Sequence, residues 1–185
     1  MLSNRHREES GWGMEKELQV RLVKRAKKGD AQAFIELCTA YRVVLYNSAY
    51  KILLNDADVA DCLQETEIRA WKKIRTLKNE AAFNSWIFMI MTNIARDILG
   101  KRVEVIAFEE KHGGIDEGSH EESDLTQELN KLSERYRIPL VLYYYSGFSI
   151  KEIAGQLSLS ANTVKTRLAR GKQQLKRILE VEQNG

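Results

Sequence analysis

The sequence predicts an all-α protein: two small helical domains joined by a flexible acidic linker. Three observations lead there. Apolar residues recur at spacings of three and four almost throughout, with little β-branched alternation. There is a single proline, Pro139. One stretch, residues 103–122 (VEVIAFEEKHGGIDEGSHEE), has three glycines, many acids and no sustained period, and it separates two periodic regions. The length of 185 residues, 43% hydrophobic and 30% charged, suits one or two small folded domains.

The elements follow in order. Residues 1–15 are polar and unpatterned and are expected to be a disordered extension, with Met14 a conceivable natural start. A first helix spans about Lys16–Lys28 and stops at Gly29-Asp30. Asp30 then caps a helix of about Ala31–Leu54, with Phe34, Leu37, Cys38, Tyr41, Leu45 and Ala49 on one face. Asn55-Asp56 breaks it, and Asp56 or Asp58 opens the next helix, which runs to about Ile74. The loop TLKNEAAFNS leads into an apolar helix of about Trp86–Lys101, ending at Gly100. The domains are therefore expected at 16–102 and 123–180, with a tail at 181–185. In the second domain, Ser133 is expected to cap a helix reaching about Ser146. Tyr136, Leu140, Val141 and Tyr144 point inward and Pro139 bends the helix.

Charge is distributed unevenly although the net value is only +3. Ser149–Arg177 holds seven basic residues and one acid, whereas Val103–Asp124 holds eight acids and one lysine. The first segment suits a polyanion and the second suits water. Cys38 and Cys62 lie in helical patterns without CxxC spacing, which reads as buried or idle thiols in a reducing cytoplasm. His6, His112 and His120 fall in polar segments. The longest apolar run, Trp86–Met91, is far too short to cross a bilayer, and no signal peptide is visible. No nucleophile–base pairing, phosphate-cradling glycine loop or metal-ligand spacing is present, so neither an enzyme nor a cofactor is expected.

The stretch SIKEIAGQLSLSANTVKTRLARGK, Ser149–Lys172, carries the clearest function. Ser149 caps a helix with Ile150, Ile153, Ala154 and Leu157 inward. Ala154 is small where two helices cross. Ser158-Leu159-Ser160 forms a turn with Leu159 in the core, and Ser160 caps the second helix. Val164, Leu168, Gly171 and Leu175 face inward at spacings of four, three and four. Asn162 and Thr163 begin this helix, and Lys165, Thr166, Ala169 and Arg170 lie outside, flanked by Arg167 and Lys172. Such a helix fits a major groove: Arg170 and Lys165 suit guanine or phosphate, and Thr166 and Ala169 suit thymine methyls. Arg167, Lys172 and the amides after Ser160 suit phosphates. A merely solvated basic face is the plain alternative. The coincidence of small Ala154, turn, cap and basic face argues against it.

This motif resembles both the C-terminal domain of LuxR-type response regulators and region 4 of sigma factors. The first hundred residues break the tie. AKKGDAQAFIELCTAYRVVLYNSAYKILLNDADVADCLQETEIRAWKKI and FNSWIFMIMTNIARDILGKR resemble region 2 of bacterial extracytoplasmic-function (ECF) sigma factors. A receiver domain would need alternating strands and helices, which are not visible. The resemblance covers about residues 17–180. It implies a region 2 helical bundle and a region 4 helix-turn-helix. Asp61, Gln64, Glu65 and Arg69 would bind the clamp helices of the polymerase β′ subunit. Lys78, Asn79, Phe83, Asn84, Trp86, Asn93, Asp97, Lys101 and Arg102 would read and melt the −10 element, by holding a flipped base and stacking on others. Asn162, Thr163, Lys165, Thr166, Arg167, Ala169, Arg170 and Lys172 would read the −35 element. Ile87, Ile90 and Ile94 are expected to be core.

Two positions depart from the family pattern. Glu67 stands where an aromatic is common, and Met89 where an arginine is frequent. The resemblance further implies core RNA polymerase as partner (the β-flap as well as the clamp), promoter DNA, and an often membrane-anchored anti-sigma factor as regulator, with stress-response genes as targets. The chain itself would be cytoplasmic with no membrane insertion. A stand-alone LuxR-like helix-turn-helix regulator is the alternative. A module that sequesters another regulator is a third reading, which the basic face of the last helix opposes.

Overall fold

The hydrophobic period that dictates helices also dictates which face of each is buried. In the computed structural model, which describes residues 14–109 and 124–183, every long element is helical and there is no strand among the described residues. The N-terminal bundle comprises α1 (Lys16–Lys27), α2 (Ala31–Leu53), α3 (Asp56–Lys73) and α4 (Phe83–Glu109). Short 3₁₀ turns at Ile74–Thr76 and Glu80–Ala82 lead from α3 to α4. The C-terminal unit comprises α5 (Asp124–Asn130), α6 (Glu134–Leu140), a π-helical turn (Val141–Tyr145), α7 (Ile150–Leu157) and α8 (Ala161–Gln183).

Local chemistry fixes most helix ends. Gly29, at φ +96°, supplies the left-handed turn after α1. Asp30 caps α2 by accepting the Ala33 N–H at 3.0 Å. All six residues expected on the inner face of α2 are buried. Leu54 ends it in the left-handed region, with its N–H on the Tyr50 carbonyl. The cap of α3 is Asn55, which accepts the Asp58 N–H at 2.9 Å, rather than Asp56 or Asp58. The two aspartates lie inside the first turn, where their charge still complements the helix dipole. Residues 1–13, most of the extension expected at 1–15 and including His6, lie outside the described residues, as do His112 and His120, whereas Glu15 stands at the N-cap position of α1. Met14 packs against the core.

Helix α4 departs most from expectation. It begins at Phe83, three residues earlier than expected, and passes Gly100 to reach Glu109, inside the expected linker. A glycine in a helix interior costs only about 1 kcal/mol relative to alanine. That is less than the gain from burying Phe83, Ile87, Phe88, Met91, Ile94 and Leu99 along the same helix, at about 1.5–3 kcal/mol per fully buried side chain. The remainder of the expected linker, 110–122, is not described.

In the C-terminal unit the α6 helix continues into the π turn, where Ser146 N–H bonds the Val141 carbonyl five residues back, at 3.0 Å. Pro139 has no N–H to return to the preceding turn, and the wider turn follows it directly. Widening the turn shifts the side-chain phase. Tyr136, Leu140 and Val141 are buried as expected, but Tyr144 rotates outward and is 53% exposed. Ser133 occupies the N-cap position of α6, yet its side chain makes no capping bond. Arg137 is buried there and directs its guanidinium at the carbonyls of Leu129, Asn130 and Leu132, at 3.4–3.5 Å. It thus ties the end of α5 to α6 through carbonyls at the helix end, where acceptors outnumber backbone donors.

The two units share one apolar core. Phe88 of α4 meets Phe148 edge-on with ring centroids 5.1 Å apart. Ile138, Val141, Leu142, Ile153 and Val164 belong to the same buried cluster as the α2–α4 residues. At its margin the buried Ser48 and Ser146 hydroxyls share a hydrogen bond of 2.8 Å, and the Lys51 ammonium lies 4.6 Å from the Tyr145 ring centre.

The segment before α4 is held by long-range polar contacts. Lys27 Nζ donates to the Leu77 carbonyl at 2.9 Å and to Glu80 Oε1 at 2.7 Å. Gln19 Nε2 donates to the Glu80 carbonyl at 3.0 Å, and the buried Tyr41 hydroxyl donates to Gln19 Oε1. Lys27 holds the Glu80 carboxyl below the usual range. A carboxylate depressed on folding stabilises at pH above its unfolded value and ceases to do so as pH falls through the folded one. Hydrogen-exchange protection of the 77–82 amides is therefore expected to fall as pH drops below about 4.5. In Glu80→Gln the protection should be lower than in the wild type at pH 7 and should lose this pH dependence, while the Lys27–Leu77 and Gln19–Glu80 carbonyl bonds remain. Equal protection in both proteins would rule out the anchor. For the interdomain contact, Ser48→Cys with Ser146→Cys should crosslink under mild oxidant, seen as a mobility shift that reductant reverses. Cys38 and Cys62 are buried, with burial pushing both thiols up to about 12, so they should stay unreacted.

Candidate nucleic-acid interface

The helix-turn-helix forms as its sequence dictates. Ser149 and Glu152 make a reciprocal capping box at the start of α7. Ser158 turns the chain in the left-handed region at φ +54°, and Ser160 caps α8 by accepting the Thr163 N–H at 3.0 Å. Ile153, Ala154, Leu157 and Val164 are buried, and Leu159 is half-buried against the core. At Gly171, α8 crosses α6 so closely that a Cβ would stand 2.9 Å from Leu140 Cδ1, so only glycine fits without displacement.

The outer face of α8 presents Asn162, Lys165, Thr166, Ala169, Arg170 and Lys172 to solvent, with Thr163 and Arg167 half-buried. Two threonines are partly committed. The Thr166 hydroxyl donates to the Asn162 carbonyl at 2.9 Å, leaving its methyl as the group available to a partner. The Thr163 hydroxyl shares a 2.8 Å bond with Ser160 and so belongs to the cap.

On α3, Val59, Cys62, Thr66 and Ala70 are buried and Leu63 is half-buried, which turns Asp61, Gln64, Glu65 and Arg69 outward. Glu65 and Arg69 pair at 2.5 Å, both about two-fifths exposed. An exposed pair four residues apart is worth only about 0.3–0.5 kcal/mol, too little to withhold either side chain from a partner. The structure also brings together two sets that the sequence keeps apart. Asp61, Glu65 and Arg69 of α3 and Arg96, Asp97 and Lys101 of α4 line one open cleft of about 640 Å³.

Of the other residues expected to meet opened DNA, Lys78, Asn79 and Asn93 are exposed and Asn84 and Trp86 are half-buried. The Asn79 carboxamide oxygen accepts the Ala81 N–H at 3.1 Å, and that of Asn84 accepts the Ser85 N–H at 2.7 Å, leaving their amide NH₂ groups outward-going donors. Two expectations are corrected. Phe83 is fully buried, with Tyr41 and Trp86 rings at 5.8 and 5.9 Å, and cannot reach a base. Arg102 is committed to the fold: it pairs with Asp58 and donates to the Leu53 carbonyl at 2.9 Å, tying α4 to α2 and α3. Sequence reading missed Gln19, Lys27, Tyr41 and Glu80 beneath the loop, because their partners lie 22–61 residues away. It also missed Arg96 and Arg135, which line a second hollow with Arg167 between the two units.

Comparisons with known proteins agree with this geometry. The profile described as Sigma-70 region 2 matches residues 37–104, and that described as Sigma-70, region 4 matches residues 123–175. The chain is 30% identical over 176 residues to the ECF RNA polymerase sigma factor SigW of Bacillus subtilis, covering 85% of this chain and 94% of the relative. It is also 30% identical over 173 residues to the ECF RNA polymerase sigma-E factor of Escherichia coli K12, covering 82% and 89%. Among solved structures it resembles CnrH in complex with the cytosolic domain of CnrY, with TM-score 0.69 and 26% identity over 89% of this chain and 98% of that one. It also resembles the sigma factor RpoE bound to the anti-sigma factor NepR from Bartonella quintana, with TM-score 0.64 and 25% identity over 74% and 90%. Two sigma regions in order, and relatives matched along nearly their whole length, disfavour a stand-alone LuxR-like regulator. The chain belongs to the extracytoplasmic-function family of RNA polymerase sigma factors.

Proposed function

We propose that this chain is a dissociable promoter-recognition subunit whose three exposed surfaces divide the work. The outer face of α8 reads the −35 element through Lys165, Thr166, Ala169 and Arg170. The loop at Lys78-Asn79 and the exposed Asn93 of α4 act on the −10 element. The α3 patch of Asp61, Gln64, Glu65 and Arg69 binds the polymerase clamp. A polar, half-charged patch of this kind favours an exchangeable interface, which a subunit that comes and goes requires. The observation that carries the reading is the pairing, in one chain, of an exposed basic recognition helix with a separate helical face of polar and amide side chains. Polymerase supplies the chemistry, so the chain needs no catalytic group of its own.

The cleft that Asp97 and Lys101 share with Asp61, Glu65 and Arg69 supports a role for both next to the proposed clamp-binding patch. Both can then serve DNA close to the polymerase surface. Unstacking a base step costs a few kcal/mol, and stacking a freed base on an aromatic returns about 1–3 kcal/mol. Trp86, three residues into α4 and half-buried, is the candidate stacking platform. Regulation by an anti-sigma protein is supported by the two solved relatives, one of them bound to an anti-sigma factor. The reading places the chain in the bacterial cytoplasm, and none of the described helices is long and apolar enough to cross a membrane.

The test is reconstitution with core polymerase on a promoter selected by the wild-type holoenzyme from a random library. Specific initiation should require both chain and core. Tight operator binding without core, and no initiation with it, would instead favour a free-standing regulator. Arg170→Ala should lower discrimination among −35 sequences by about 1–3 kcal/mol if Arg170 makes a bidentate base contact. Equal loss on every sequence would make it a phosphate contact. Asn93→Ala should impair opening or −10 selectivity, scored by permanganate reactivity of unpaired thymines, while core affinity is retained. A fall in core affinity would move Asn93 to the clamp interface.

A further inference from the structure

The close crossing at Gly171 places two α6 residues beside the DNA-facing half of α8. A Cβ at Gly171 would lie 3.2 Å from Tyr136 Cβ, so Tyr136 sits directly on the α8 backbone at the crossing. The guanidinium of Arg135 covers the Tyr136 ring, 4.6 Å from its centre, and its Nη2 donates to the Tyr136 hydroxyl. Arg170 lines the same hollow as Arg135 and Tyr136. Arg135 first and Arg170 second hold the Tyr136 phenol below its ordinary range. Tyr136 thus shares one hollow with a guanidinium from α6, which it bonds directly, and a guanidinium from the recognition helix.

Between them is an open hollow of about 420 Å³, lined by Arg135, Asn162, Thr166, Arg167 and Arg170, with no carboxylate in its wall. A single water occupies about 30 Å³ of liquid, so the hollow has space for a stretch of sugar-phosphate rather than one small ion. Glu134 lines the neighbouring hollow with Arg135 and Arg167, so one carboxylate stands near three guanidinium groups and the hollow keeps a net positive charge that favours an anion. Arg135 is exposed, and Asn162, Thr166 and Arg170 belong also to the face that enters the groove. A strand bordering that groove must therefore pass the hollow.

We propose that Arg135, outside the helix-turn-helix, is a contact to the DNA phosphate backbone flanking the −35 element, and that Tyr136 is a positioning residue that sets Arg135 and Arg170 relative to each other. This rests on reading α8 as the −35 helix. Phosphate contacts fix register without carrying sequence information, whereas Arg170 is placed to read bases. The two residues should therefore fail differently.

The experiment uses full-length protein saturated with core polymerase and a fluorescent upstream duplex carrying a matched or a scrambled −35 element, titrated across salt. Arg135→Ala should weaken binding several-fold on both duplexes alike and make the log K against log salt slope shallower by about one. Arg135→Lys, which keeps the charge, should restore the slope, a result that loss of fold would not give. Tyr136→Phe keeps every cation, so the slope should hold while the matched-to-scrambled ratio falls. The control is Lys165→Ala with Arg170→Ala. If the control loses matched affinity while Arg135→Ala changes neither affinity nor slope, the proposal fails and the −35 reading stands. If Tyr136→Phe leaves the ratio intact, its positioning role is overturned. If the control itself binds like wild type, the −35 reading of α8 fails.

Discussion

Every surface of this protein depends on the burial of α4 from both sides. Phe83, Ile87 and Met91 fill the bundle made by α1–α3, while Phe88 reaches the C-terminal unit through Phe148. Each such side chain contributes about 1.5–3 kcal/mol, against about 1 kcal/mol for a typical net hydrogen bond. The apolar contacts therefore set the relative position of the two units, and the Ser48–Ser146 bond only adds direction at the margin. Arg102 closes the other end by joining α4 to the Leu53 carbonyl and Asp58.

Polar groups divide accordingly into two sets. Some are consumed by the fold: Gln19, Lys27, Tyr41 and Glu80 hold the segment before α4, and Arg137 holds the end of α5. Others remain at the surface with weak attachments, such as the Glu65–Arg69 pair and the basic face of α8. Weakly held surface charges leave the chain able to exchange partners. Two modest anchors on one chain also reinforce each other, because engagement of the first raises the effective concentration of the second. On the proposed reading, neither the α8 face nor the α4 face then needs high affinity alone.

Much of the fold was legible from local chemistry. The buried faces of α2, α3 and α8 followed from their 3.6-residue period. Asp30, Ser149 and Ser160 capped where a short polar side chain precedes an apolar run. Misreadings came where a local signal met a stronger distant one. Gly100 suggested a stop, but burial along α4 outweighs one glycine. The family resemblance set Phe83 among the −10 contacts, whereas packing against the Tyr41 and Trp86 rings draws it inside. Tyr144 was set by counting 3.6 residues per turn through a turn that widens. Arg102 looked like a free cation until Asp58, 44 positions earlier, came beside it.

By itself the sequence determined the helical class, the helix-turn-helix with its caps, and the segregation of basic and acidic stretches. These depend on neighbours within four residues, where spacing alone sets geometry. Only the tertiary structure decided which candidates are exposed. It also joined the α3 patch and the α4 residues in one cleft, and brought Arg135 and Tyr136 to the recognition helix. Those outcomes depend on contacts across tens of residues, made by shape and burial, and no local pattern records which distant side chain will fill a given space.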